Sequence, residues 1–153
     1  MSTQPAAPAA PETILCDTSF VSVVQSAGER ASSAQTIGDW PASTMSRLNA
    51  AILAISVITL AELRDGHIYA NWGAPRRARA EGIIASYLLI PLDMAIVNRC
   101  SSLRAACRHA GVSVPDNDIW IAATAITRGW PLVSCDAHFD AIPDVNHLKL
   151  ASA

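Results

Sequence analysis

No stretch of this chain supplies the roughly eighteen consecutive apolar residues that a membrane-spanning helix requires. Charge is also scarce, at 16% of 153 positions against 51% hydrophobic, which excludes a disordered polyelectrolyte and leaves a globular protein. No CxxC pair or short disulfide framework links Cys16, Cys100, Cys107 and Cys135, so zinc ribbons and disulfide scaffolds drop out. The four thiols read as small buried hydrophobes of a cytoplasmic protein. His67, His109, His138 and His147 form no HExxH or other zinc spacing and read as surface histidines. No GxGxxG follows a strand and no Walker A motif occurs, which argues against nucleotide cofactors. Ser19 and Ser134 sit in no GxSxG elbow, which argues against a serine hydrolase. Asp17-Thr18-Ser19 lacks the second aspartate of a phosphatase-type DxD motif. With a net charge of −2 and a pI near 6.0, no global basic field points to nucleic acid.

What is present fits one domain with a real core. Residues 1–11 are mostly Ala and Pro and are expected to form a disordered tail, neither signal peptide nor anchor, ahead of a domain over 12–153. Thr13 to Cys16 is a short apolar run ending at Asp17, which suits a buried strand. A helix is expected from Ser19 to Arg30, a loop around Gly38 and Pro41, and a helix from Thr44 to Leu53. Ile55 to Ile58 reads as a strand running into Thr59-Leu-Ala-Glu62, which has the form of a capping box opening a helix that Gly66 ends or bends. Pro75 to Tyr87 reads as a helix and Leu88 to Ile90 as a strand. Asp93 can cap a helix from Met94 to Ala110, closed by Gly111. Pro115-Asp116 opens a helix to Gly129, with Asp116 as its N-cap. Strands follow at Pro131 to Ser134 and near His147 to Leu150. Short apolar strands alternating with helices predict an α/β domain whose parallel sheet is covered on both faces.

Ligands of open parallel α/β sheets bind beyond the C-terminal strand ends, and four acids fall there. Asp17 follows the first strand, Glu62 lies in the helix after the second, Asp118 is in the first turn after Pro115, and Asp136 follows the strand ending at Val133. Carboxylates brought that close repel unless a cation neutralises them or some are protonated. A hard divalent ion answers the repulsion and can activate water beside a phosphoryl group. Each acid also has a local account: Glu62 completes the capping box, Asp118 favours the positive end of its helix dipole, and Asp17 and Asp136 are turn residues. Arginines cluster as Arg76, Arg77 and Arg79 and as Arg99, Arg104 and Arg108; they are solvated helix faces or phosphate contacts.

Four segments resemble the PIN-domain family. Leu15-Cys-Asp-Thr-Ser19 resembles its opening motif, Val57-Ile-Thr-Leu-Ala-Glu-Leu63 its second, Asp118-Ile-Trp-Ile-Ala-Ala-Thr-Ala125 its third and Val133-Ser-Cys-Asp-Ala-His-Phe139 its fourth. They occur in the family's order, and the likeness covers about Thr13 to Leu150. Pro91-Leu92-Asp93 is similar to the VapC-type branch, including its FitB-like members. The resemblance implies a five-stranded parallel sheet, a homodimer, Mg2+- or Mn2+-dependent cleavage of RNA (tRNA or ribosomal RNA in relatives), and a VapB-type antitoxin forming a heterotetramer or larger assembly. Carried over, Asp17, Glu62, Asp118 and Asp136 become an acidic quartet for metal and catalysis, with Ser19 and Ser134 as polar supports. His138 stands where many relatives carry another acid, and Asp116, two residues from Asp118, points off its helix face. Phe20, Trp40 and Trp72 suggest an apolar groove for an antitoxin segment, which leaves Arg76, Arg77 and Arg79 to track RNA phosphate. The alternatives are a PIN-fold regulatory module with a vestigial site, acting with a DNA-binding partner, and another metal hydrolase.

Overall fold

Four residues suffice for the central strand because both of its faces are covered. In β1 (Thr13–Cys16), Leu15 points to one apolar layer while Ile14 and Cys16 point to the other, and all three are fully buried. The computed structural model describes residues 9–152, so most of the tail expected over 1–11 lies outside the described residues. The chain continues through α1 (Thr18–Ser26), α2 (Ala31–Gly38), α3 (Ala42–Ala50), β2 (Ile52–Ser56), α4 (Val57–Tyr69), α5 (Ala74–Ile84) and β3 (Leu88–Ile90). It then forms α6 (Met94–His109), α7 (Asp116–Arg128), β4 (Leu132–Ser134), a 3-10 turn (Ala137–Ala141) and β5 (His147–Lys149). No described helix is long and apolar enough to cross a membrane.

The five strands are parallel in the order β3-β2-β1-β4-β5, as expected for the α/β fold. The chain fills one half of the sheet outward from β1, then returns to fill the other, so the topological switch lies between β1 and β4. Register there pairs Leu15 with Leu132 and Cys16 with Val133, which brings Asp17 and Ser134 to the same edge. Helices α6 and α7 pack Ile96, Leu103, Ile119 and Ile121 on one face of the sheet. The other face takes Phe20 and Val21 of α1, Leu48 of α3, Leu63 of α4 and Ile84 of α5.

Helix ends follow local chemistry. Asp93 Oδ1 accepts the Ile96 N–H at 2.9 Å, as expected of a cap. Its Oδ2 accepts from Arg128 at 2.7 Å, which ties α6 to α7. Gly111 closes α6 at φ +68°, a left-handed conformation that glycine adopts without a Cβ penalty.

Several expectations are corrected. Strand β2 starts at Ile52 and ends at Ser56, whose Oγ accepts the Thr59 N–H at 3.1 Å. Ser56 is therefore the cap of α4, Thr59 and Glu62 form no capping box, and the helix runs through Gly66 to Tyr69. Pro115, not Asp116, is the N-cap of α7, and Asp116 is its first residue. The helix expected over 19–30 ends at Ser26, and α2 forms where a loop around Gly38 was expected; it buries only Ser33, so no apolar period marks it. Phe20 and Trp40 are core residues, stacked with ring centroids 5.5 Å apart, and Trp40 Nε1 donates to the Ala151 carbonyl at 3.0 Å. The apolar area expected of them for a groove is spent inside the domain. His67 is buried rather than on the surface: it stacks on Trp72 at 4.3 Å and lies 3.2 Å from Gln25 Oε1.

Candidate functional site

The switch between β1 and β4 is held by two serines around one buried carboxylate. Asp17 leaves β1 as the N-cap of α1, its Oδ1 accepting the Phe20 N–H at 3.0 Å. Ser19 Oγ donates to Asp17 Oδ1 at 2.8 Å and accepts the Cys135 N–H at 3.0 Å. Ser134 Oγ donates to Asp17 Oδ2 at 2.8 Å and accepts the Asp136 N–H at 2.8 Å. Each serine thus passes a hydrogen to Asp17 and takes one from the loop after β4, which fixes where Asp136 starts. Burial pushes the Asp17 carboxyl above its ordinary range, while these hydrogen bonds pull it back.

Beyond that joint is an open depression of about 400 Å³ lined by Glu62, Pro115, Asn117, Asp118, Asp136 and His138, with Asp116 on its rim. Glu62 reaches it from the second turn of α4, and Thr18 Oγ1 donates to Glu62 Oε1 at 2.7 Å. Asp118 comes from the first turn of α7. Asp136 caps the 3-10 turn, its Oδ1 accepting the His138 N–H at 2.8 Å. The His138 ring folds back so that Nδ1 lies 3.1 Å from both Asp118 Oδ2 and Asp136 Oδ1. One ligand atom each from Asp118, Asp136 and His138 can be chosen so that all lie within 4.8 Å of one another.

Electrostatics follow from this crowding. The Asp118 carboxyl is raised from 3.8 to about 6, chiefly by burial and then by the charge of Asp136, with Glu62 adding to the effect and His138 opposing it. Three carboxylates, one of them reluctant to ionise, make a hard oxygen donor set with an unmet need for positive charge.

The structure therefore brings Glu62, Asp118 and Asp136 together and sets Asp17 behind them, joined to Asp136 through Ser134. Asp116 turns away to Arg104, whose Nη2 is 2.7 Å from its Oδ1. Two of the three arginines expected to meet phosphate are otherwise engaged: Arg76 and Arg79 pair with Glu29 at 2.6 and 3.2 Å, and Arg76 also covers the Trp72 ring at 3.8 Å. Arg77 makes no ion pair among the described residues. Sequence reasoning passes over Thr18, because a threonine beside a motif aspartate gives no sign that it will meet a glutamate on another helix. It places His138 at the site's edge but not between two acids, since nothing in spacing fixes how the ring folds back.

The profile of the PIN domain family matches residues 14–145. The chain is 36% identical over 98 residues to Ribonuclease VapC4 of Mycobacterium tuberculosis, covering 63% of this chain and 75% of that protein. It is 36% identical over 93 residues to Ribonuclease VapC5 of the same organism, covering 59% and 68%. The crystal structure of VapBC2 from Rickettsia felis, bound to a DNA fragment from their promoter, superposes with a TM-score of 0.72 over 90% of this chain and 98% of that one. At 19% identity it is a likeness of fold.

Proposed function

Because the chain belongs to the PIN-domain family, we propose that it is the toxin of a type II toxin–antitoxin pair, a metal-dependent endoribonuclease that hydrolyses RNA phosphodiester bonds with an activated water. The observation that carries this reading is the meeting of Glu62, Asp118 and Asp136 over Asp17 at the sheet's switch point, where open α/β sheets bind their ligands. The donor set fits Mg2+ or Mn2+: oxygens dominate, and Asp118 is a carboxyl whose ionisation a nearby cation would favour. When bound, such an ion supplies an activated water and positive charge beside the phosphoryl group under attack.

The chain's own residues supply position. Asp118, Asp136 and Glu62 all line the depression with carboxyl groups. Thr18 holds one Glu62 oxygen by a hydrogen bond. Ser19 and Ser134 anchor Asp17 and the backbone of the loop that carries Asp136, so the acids are set before substrate arrives. Arg77 is the member of its cluster available to track RNA phosphate.

The protein acts in the cytoplasm, in keeping with four free thiols, three of them buried. It forms a homodimer and a heterotetramer or larger assembly with a VapB-type antitoxin. Residues 12–153 constitute the nuclease domain and 1–11 an appended tail. The purified chain should cleave tRNA or ribosomal RNA fragments only with Mg2+ or Mn2+, at sites mapped by new 5′ ends, and Asp136→Asn should abolish cleavage. A folded wild-type protein inert toward RNA with either ion would overturn the reading.

A further inference from the structure

The least expected member of the cluster is a nitrogen. A carboxylate-only site for Mg2+ has no use for an imidazole, yet His138 Nδ1 sits 3.1 Å from one oxygen of each of two acids. That nitrogen carries a single in-plane hydrogen or lone pair, and it lies within hydrogen-bond distance of Asp118 and at 3.1 Å from Asp136. Ligands about 2.1 Å from an octahedral ion are about 3.0 Å apart when adjacent, and about 3.4 Å apart around a tetrahedral one. Both nitrogen–oxygen separations, at 3.1 Å, lie in that range, and one ligand atom each of Asp118, Asp136 and His138 can be chosen so that all lie within 4.8 Å of one another. The backbone that carries the ring is also pre-set, because the His138 N–H donates to Asp136 Oδ1 at 2.8 Å.

We propose that His138 is a direct metal ligand through Nδ1, completing with Asp118 and Asp136 a mixed nitrogen–oxygen site that selects a transition-metal ion over Mg2+. The selection follows from ligand chemistry. Imidazole is a neutral, borderline donor that strengthens binding along the series from Mn2+ to Zn2+, whereas Mg2+ gains most from charged oxygens and retained water. The inference rests on the reading of these carboxylates as a metal site, and the experiment separates the two.

Metal-free protein labelled with 15N-histidine is titrated with Mn2+ and followed by electron paramagnetic resonance, with Mg2+ as competitor. Bound Mn2+ should show coupling to a directly coordinated histidine nitrogen, and that coupling should vanish in His138→Ala. His138→Asp should lower the preference for Mn2+ over Mg2+ by about tenfold. Asp118→Asn should weaken Mn2+ binding in either background. Mn2+ binding that requires Asp118 but shows no nitrogen coupling, with an unchanged Mn2+ to Mg2+ ratio in His138→Asp, overturns the ligand role and leaves the metal reading standing. Failure of the wild type to bind Mn2+ at millimolar concentration overturns both. The wild-type spectrum decides the question even where a variant misfolds.

Discussion

In metal-free protein, Asp118→Asn should stabilise the fold at neutral pH and leave it unchanged in acid. The Asp118 side chain is only 14% exposed, and burial, followed by the neighbouring acids, raises its carboxyl from 3.8 to about 6. Each unit of difference corresponds to ~1.4 kcal/mol, so ionising Asp118 costs the native state about 3 kcal/mol at most. Solvent at the rim of the depression brings the figure toward ~1–2 kcal/mol. Between pH ~4 and ~6 the native state holds a proton at Asp118 that the unfolded chain has released. Stability is therefore greatest below the unfolded value and falls as pH rises through about 6. Asparagine has no charge to lose and removes that slope.

Urea melts in chelator at pH 3.5 and 7.5 test this. The two proteins should agree within ~0.5 kcal/mol in acid, and the variant should lead by ~1–3 kcal/mol at the higher pH. For a chain of this size that is ~2–4 °C in melting temperature for each kcal/mol. Adding Mn2+ or Mg2+ should then reverse the order, since an ion at 100 times its Kd stabilises the wild type by ~2.7 kcal/mol. A variant that is less stable at pH 7.5 without metal, or an advantage of equal size at both pH values, would refute the picture of crowded carboxylates.

Asp17→Asn, Glu62→Gln and Asp136→Asn should each reduce RNA cleavage ~100-fold or more while the circular dichroism spectrum stays native; near-wild-type rates at two of these positions would remove the quartet. Asp116→Asn should cost under ~0.5 kcal/mol and leave cleavage close to normal, because its pair with Arg104 is exposed. Arg77→Glu should raise the apparent KM for RNA and flatten its salt dependence without moving the melting temperature. Arg76→Glu should lower the melting temperature as well, since it sets a like charge on Glu29 and uncovers Trp72. Asp93→Ala should destabilise by ~1–2 kcal/mol in urea melts, having lost both the α6 cap and the bond to Arg128.

The sheet was legible because buried parallel strands are short apolar runs, and Thr13 to Cys16 coincides with β1 for that reason. The acids were legible because topology places residues after strand ends at one edge whatever the details of packing. What pattern could not supply was partnership. Helix α2 has almost no buried face to impose a period. The Thr59 and Glu62 spacing imitates a capping box, but Ser56 lies three residues nearer the strand and takes the role, which frees Glu62 for Thr18. Phe20 and Trp40 look surplus until they are found stacked on each other. The arginines look free until Glu29, nearly fifty residues earlier in sequence, is found between two of them. Asp17 shows how tightly the two kinds of information are joined. The same carboxylate caps α1, receives both serines and sets the loop that carries Asp136. A motif read only as chemistry is thus also the joint that closes the two halves of the sheet, and the geometry of the outer acids depends on its staying buried and hydrogen-bonded.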